Sequence, residues 1–200
     1  GPGFGGSCFK KDILNLVYIC RFFGLHEVAN YWEQIIIINV WQQKRIYSKI
    51  VSKLYGNIFK KRLTILGFSF KANTNDTRES PAIQIAYDLL SEGANLIISD
   101  PKVTPSQVKM ELDKINLKQN DAIENLHNYW TFEREIYKSI KNSDAVIFLT
   151  EWPEYMNLDW KRIACWMRSP AWVFDTRGVT DKKILDESNL KYWILGDSEC

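Results

Sequence analysis

Apolar positions in the first quarter of the chain recur with a helical period. Ile13, Leu14, Val17 and Tyr18 form one stripe, and their spacing predicts a helix over 8–22 with Ser7 as its N-cap and a stop at Gly24. After Leu25-His26 a second stripe runs through Val28, Trp32, Ile35, Ile36, Asn39, Ile46, Ile50 and Leu54, which predicts a long helix ending near Leu54. Ile35 to Ile38 cover almost the whole circumference for one turn. Such a turn wants burial on several sides, so this helix is expected to cross a domain boundary and to bury one face against a second subunit.

The period changes after Gly56. Short apolar runs at 62–67, 95–100, 144–150 and 171–175 read as strands, with a further short one at 129–132 and an edge strand at 190–195. Helical patterns over 81–90, 133–141, 158–167 and 181–187 separate them; Pro81 suits a first helical turn, and 103–117 reads as partly helical. Strands of this length alternating with helices mean a parallel sheet with crossover connections. The expected organisation is a helical region over 1–56 followed by a Rossmann-like α/β domain over 60–200.

Composition narrows the class without changing it. Two hundred residues that are 46% hydrophobic and 25% charged suit a soluble globular chain with one substantial core. The 26 basic and 24 acidic side chains are interspersed and sum to +2, which argues against a nucleic-acid or membrane footprint. Cysteines 8, 20, 165 and 200 show no CxxC pairing and only two histidines accompany them, so no metal site and a reducing compartment are expected. No signal-peptide pattern is visible and the isoleucine run is too short for a span; a cytoplasmic location is the expectation.

The candidate chemistry lies in the opening stretch, GPGFGGSCFKKD. Gly1-x-Gly3-x-x-Gly6 has the spacing of a dinucleotide fingerprint, but that turn must follow a strand, and about 20 residues on, where a ribose-binding acid should stand, the pattern is still helical. The better use of these glycines is to let backbone pass close to another group with its N–H groups pointing at it. Cys8 then falls in the first turn of a helix, where the dipole and Lys11 favour a thiolate, with Asp12 alongside. Against this stands the plain reading of a lone cysteine as a small buried hydrophobe. Cys20 and Cys165 keep that plain reading.

Gly3-Phe4-Gly5-Gly6-Ser7-Cys8-Phe9-Lys10-Lys11-Asp12 resembles the catalytic-cysteine motif of the UDP-glucose/GDP-mannose dehydrogenase family, the nucleotide-sugar 6-dehydrogenases. The stretch Phe68-Ser69-Phe70-Lys71-Ala72-Asn73-Thr74-Asn75-Asp76-Thr77-Arg78-Glu79-Ser80-Pro81 is similar to their second signature, and Asp100-Pro101-Lys102, Thr150-Glu151-Trp152 and Phe174-Asp175-Thr176-Arg177 fall where the family has related short motifs. The resemblance covers essentially the whole chain. The Cys8-Phe9 step and Asn75-Asp76-Thr77-Arg78 look more like the UDP-glucose branch than the GDP-mannose branch; Lys10, Thr176 and Gly178 depart from the usual wording.

The resemblance implies an enzyme that oxidises C6 of UDP-glucose twice with NAD, giving UDP-glucuronate through a thiohemiacetal and a thioester on Cys8. It implies that the chain covers only the end of a central helical dimerisation region and the C-terminal UDP-binding domain, with the NAD-binding domain missing; the 200-residue species alone is then expected to show no turnover. Asp12 would transfer a proton or position water, and Lys11 would stand near cofactor and thiol. Cys8, Lys11 and Arg78 would contact NAD; Phe4, Gly5, Phe70, Lys71 and Arg177 would contact UDP-glucose. The plainer alternatives stay open: Lys11 solvated or paired with Asp12, Arg78 capping its own turn through Asp76 or Glu79, Arg177 bridging to Asp175. Rival functions are a GDP-mannose dehydrogenase, or a non-catalytic fragment that binds UDP or merely dimerises.

Overall fold

In the computed structural model, which describes residues 1–119 and 122–197, two helices precede a six-stranded sheet; Cys200 lies outside the described residues. Helix α1 (Phe9–Phe22) folds back on α2 (His26–Lys53), and Ile13, Val17, Cys20 and Ala29 form a small core between them. The α1 cap differs from expectation. Cys8, in helical backbone conformation, occupies the N-cap position without a side-chain cap bond, while the Ser7 hydroxyl sits 3.9 Å from the Cys8 sulfur. Residue type alone pointed to Ser7, but its backbone lies one step outside the helix.

The sheet is built from β1 (Arg62–Leu66), β2 (Asn95–Ser99), β3 (Trp130–Phe132), β4 (Ala145–Phe148), β5 (Trp172–Asp175) and β6 (Lys191–Ile194), in the spatial order β3-β2-β1-β4-β5-β6. Every pairing is parallel, with Ile65 opposite both Ile98 and Ile147. The helices α3 (Pro81–Ser91), α4 (Pro105–Asn116), α5 (Ile136–Ile140), α6 (Trp160–Trp166) and α7 (Lys182–Glu187) make the crossovers.

Strand side chains alternate between two cores, as the pleat requires. Leu63, Ile65, Ile98, Ile147 and Phe174 face one core, and Leu66, Val146, Phe148 and Val173 face the other. The first core also takes Ile46 and Ile50 from the C-terminal half of α2 and Leu54 just beyond its end, so a single helix packs on α1 at one end and on the sheet layer at the other.

Local chemistry explains most boundaries. The Ser80 hydroxyl caps α3 by accepting from Ala82 N–H, and Thr104 with Gln107 forms a reciprocal capping box that starts α4 at Pro105, resolving the ambiguous 103–117 pattern. The helix expected over 133–141 shrinks to 136–140. Glu133 N–H donates to Ile98 O and so prolongs the sheet edge, and the Glu133 carboxylate then accepts from Glu135 N–H in a turn.

Candidate active site at the sheet switch point

Strand order reverses between β1 and β4, and ligands of such sheets approach the crevice outside the carboxyl ends of the strands there. The loop after β1 (67–80) carries Phe70, Lys71 and Arg78; the loop after β4 carries Glu151; the loop after β5 carries Arg177. Arg177 is well buried, with 17% of its side chain exposed. Its Nε donates to Leu149 O at 2.9 Å, its second terminal nitrogen reaches Phe70 O at 3.4 Å, and Nε stands 3.2 Å from Glu151 Oε2. Burial pushes its pKa down, and the Glu151 charge opposes that. The bridge to Asp175 foreseen as an alternative does not form. Asp175 instead accepts the Arg177, Gly178 and Thr180 N–H groups, because a carboxylate at a strand end captures the amides of its own turn.

One further carboxyl group organises this edge. Buried Asp100, after β2, accepts from Phe68 N–H, Ser69 N–H and the Trp152 indole on one oxygen and from Lys102 N–H and Val103 N–H on the other. It thereby fixes the root of the loop that presents Phe70 and Lys71. The Lys71 ammonium lies 5.4 Å from the Phe70 ring centre and is exposed to solvent.

The opening glycine run crosses from the long helix to this loop. Asn39 of α2 clamps Phe4 from both sides, its Oδ1 accepting from Phe4 N–H at 2.8 Å and its Nδ2 donating to Phe4 O at 3.1 Å. Gly3 takes φ +119°, and a Cβ there would stand 2.6 Å from Asn39 Oδ1. On the other side Gly6 N–H donates to Arg78 O at 2.9 Å, and a Cβ on Gly5 would come 2.5 Å from Glu79 O. Close approach, rather than a phosphate turn, is what these glycines serve. Asn39 looked in the sequence like one member of an apolar stripe; a single amide among isoleucines was the available signal. In the sequence Glu151 stands only as the middle of Thr150-Glu151-Trp152.

Beyond the run, Cys8, Lys11 and Asp12 are all exposed on the first turn of α1. Asp12 N–H donates to Cys8 O at 2.9 Å, so the two side chains leave the same face. Arg78 makes a two-pronged bond to Asp76, at 2.9 Å through Nε and 2.7 Å through a terminal nitrogen. That hydrogen bond holds the Asp76 carboxyl below the usual carboxylate range and raises the Arg78 pKa, with the nearby Cys8 adding to the latter. The local alternative for Arg78 is thus occupied in this structure.

Phe4, Gly5, Lys11 and Arg78 also line a cleft of about 790 Å³ between α2, α3 and α4, whereas Cys8, Asp12, Phe70, Lys71 and Arg177 do not. The sequence-derived residues therefore gather in two groups, the thiol with its neighbours and the switch-point cations, joined through the glycine run. The fit to NAD is partial. The loop after β1 (67–80) holds a single glycine, Gly67, rather than the GxGxxG of a dinucleotide fingerprint, and near Cys8 the exposed Lys11 and Arg78 offer cations while Lys10 is paired with Glu79.

The UDP-glucose/GDP-mannose dehydrogenase family, UDP binding domain, matches residues 64–182. The UDP-glucose 6-dehydrogenase of Drosophila melanogaster is 42% identical over 194 residues, covering 97% of this chain and 40% of that protein. That of Caenorhabditis elegans is 41% identical over 196 residues, again with 40% of that protein covered. The chain thus spans about two fifths of the length of these relatives. A UDP-glucose dehydrogenase structure from Pyrobaculum islandicum superposes with a TM-score of 0.71 at 26% identity, covering 96% of this chain and 38% of that one. With its parallel sheet, its switch-point cations and more than half its length matched, the chain belongs to the UDP-glucose/GDP-mannose dehydrogenase family, residues 64–182 corresponding to the family's UDP-binding domain.

Proposed function

We propose that this chain is the UDP-binding and thiol-bearing part of an NAD-dependent UDP-glucose 6-dehydrogenase that makes UDP-glucuronate. The observation that carries the reading is the glycine run, which ties the turn bearing Cys8 to the loop bearing Phe70, Lys71 and Arg78 through the 2.9 Å bond from Gly6 N–H to Arg78 O. The similarity to UDP-glucose 6-dehydrogenases supports the choice of UDP-glucose over GDP-mannose.

In this reading Cys8, Lys11 and Arg78 would hold NAD+, which when bound would supply the hydride acceptor for two oxidations. Phe4, Gly5, Phe70, Lys71 and Arg177 hold UDP-glucose, with Lys71 and Arg177 offering cations to the phosphate-bearing end. The first oxidation leaves an aldehyde at C6. The Cys8 thiolate adds to that carbon, its electron pair forming the C–S bond while the oxygen takes a proton, and the thiohemiacetal then gives up the C6 hydride together with its hydroxyl proton to leave a thioester. Water, positioned or deprotonated by Asp12, cleaves the C–S bond and releases carboxylate and thiol. Covalent attachment keeps the aldehyde level from escaping. The exposed Ile37, Ile38, Val40 and Trp41 of α2 are the face on which a second copy would dock.

Replacing Cys8 by serine, in any form of the protein that turns over UDP-glucose, is expected to lower carboxylate formation at least about a thousandfold, as loss of a nucleophile does. Unimpaired oxidation to the acid would overturn the mechanism. The 200-residue chain with UDP-glucose and NAD+ should give no rise in absorbance at 340 nm. Calorimetry with UDP separates a nucleotide-binding chain from a mere dimerisation scaffold, the latter giving no binding heat.

A further inference from the structure

The carboxamides of Asn39, Gln42 and Gln84 are all spent within the protein. Asn39 holds Phe4 at both ends, Gln42 donates to Gly1 O at 3.0 Å and accepts from Arg45, and Gln84 donates to Asp88 at 2.7 Å. Gln43 differs. It is only 8% exposed, yet among the described residues its side chain makes no hydrogen bond. It lines the cleft of about 790 Å³ between α2, α3 and α4, and its amide atoms are open to that cleft rather than sealed beneath it. A carboxamide offers two donors and one accepting oxygen, and a buried one with neither end paired costs free energy that a bound polar group would offset.

The rest of the cleft says what kind of molecule carries that group. Five cationic side chains line it against two carboxylates. Lys10 is held by Glu79 and Arg78 by Asp76, but Lys114 stands a full 4.0 Å from Glu111, and Lys118, just past the end of α4, has no ion pair among the described residues. Those two ammonium groups suit phosphates. Half-buried Ile36, Ile83 and Ile115 supply an apolar wall for a flat ring, and the volume is that of a small-molecule site. An amide pairs at two points with a base edge that sets a donor beside an acceptor. We infer that this cleft is a second ligand site that takes a nucleoside diphosphate, with the phosphates at Lys114 and Lys118, the base against the isoleucines and the base edge on the Gln43 amide. Cys8, Lys71 and Arg177 lie outside it, so the inference stands apart from the reading of the thiol and the switch-point crevice.

Calorimetric titration with GDP tests it, GDP being the probe because its base belongs neither to the proposed substrate nor to NAD. The parent protein should bind GDP, and should bind pyrophosphate, which has no base, about tenfold or more weakly. Gln43→Leu should weaken GDP about tenfold and leave pyrophosphate within about twofold, whereas Lys114→Glu combined with Lys118→Glu should weaken both by about tenfold or more. Because the amide has no partner to lose, Gln43→Leu should also melt no lower than the parent. A lower midpoint means that the amide is already paired, and it overturns the inference. So does a parent that binds no GDP, or GDP binding that survives unchanged in Gln43→Leu, which would place the nucleotide elsewhere. If the lysines merely collect phosphate, pyrophosphate binds as tightly as GDP, and that result overturns it too.

Discussion

Gly3 and Asn39 show how much of the site depends on single atoms. The amide takes both polar groups of Phe4 only because Gly3 passes it without a Cβ, in a left-handed conformation that other residues resist. Gly3→Ala should destabilise the protein by roughly 1–3 kcal/mol, read as a lowered midpoint in thermal or urea unfolding. Asn39→Ala, which deletes two partly buried hydrogen bonds, should cost about 1–2 kcal/mol and loosen the glycine run. Accessibility separates the cysteines in the same direct way. Cys8 and Cys165 are exposed and Cys20 is 6% exposed inside the helical hairpin, so brief iodoacetamide treatment followed by peptide mapping should modify the first two and spare the third. Rapid labelling of Cys20 would mean that α1 does not pack on α2 as described.

At the scale of elements, α2 is the member shared by both parts of the molecule. Ile50 is fully buried between its C-terminal half and the sheet layer, and Ile50→Ala should cost roughly 2–5 kcal/mol by leaving a cavity there, measured by denaturant unfolding. The same half is pinned to the end of α3 by the Tyr47 hydroxyl, which donates to Glu92 at 2.8 Å. Partial burial, with the Glu92 bond and charge, pushes the Tyr47 phenol up to about 12. A phenol raised in the folded state stabilises fully below its unfolded pKa near 10, and this contribution fades as pH rises through about 12. Burial also raises Tyr155 and the Asp186 bond raises Tyr192, so absorbance titration at 295 nm should show a late tyrosine component that Tyr47→Phe diminishes by one phenol. Most elements were legible because their periods are strong: α1, α2, α3 and the strands of the core follow directly from where Ile, Leu and Val recur. The failures fall at ends. Glu133 joins the sheet edge rather than a helix, and Cys8 rather than Ser7 takes the cap position, because backbone partners decide both and residue type does not reveal them.

For the molecule as a whole, the unpaired side of α2 is the outstanding feature. Ile37, Ile38 and Trp41 are each more than half exposed in the single chain. Exposed apolar patches of this kind mark docking faces, and a double change of Ile38 and Trp41 to aspartate is expected to convert a self-associated species to monomer in analytical ultracentrifugation while leaving UDP binding in place. A parent that sediments as a monomer would count against the dimer proposal. Sequence alone determined the alternation of helix and strand, the parallel sheet, the suspicion about Cys8 and the use of the glycines for close approach, since all of these are written in local period and residue type. Tertiary structure alone decided the strand order, and therefore that the loops after β1, β4 and β5 share one crevice. It alone decided that Asn39 rather than an apolar neighbour holds the glycine run, that Asp100 and Asp175 are spent on backbone amides, and that Glu151 is not. Those are pairings between residues far apart along the chain, and no local pattern encodes which distant partner satisfies a given donor or acceptor.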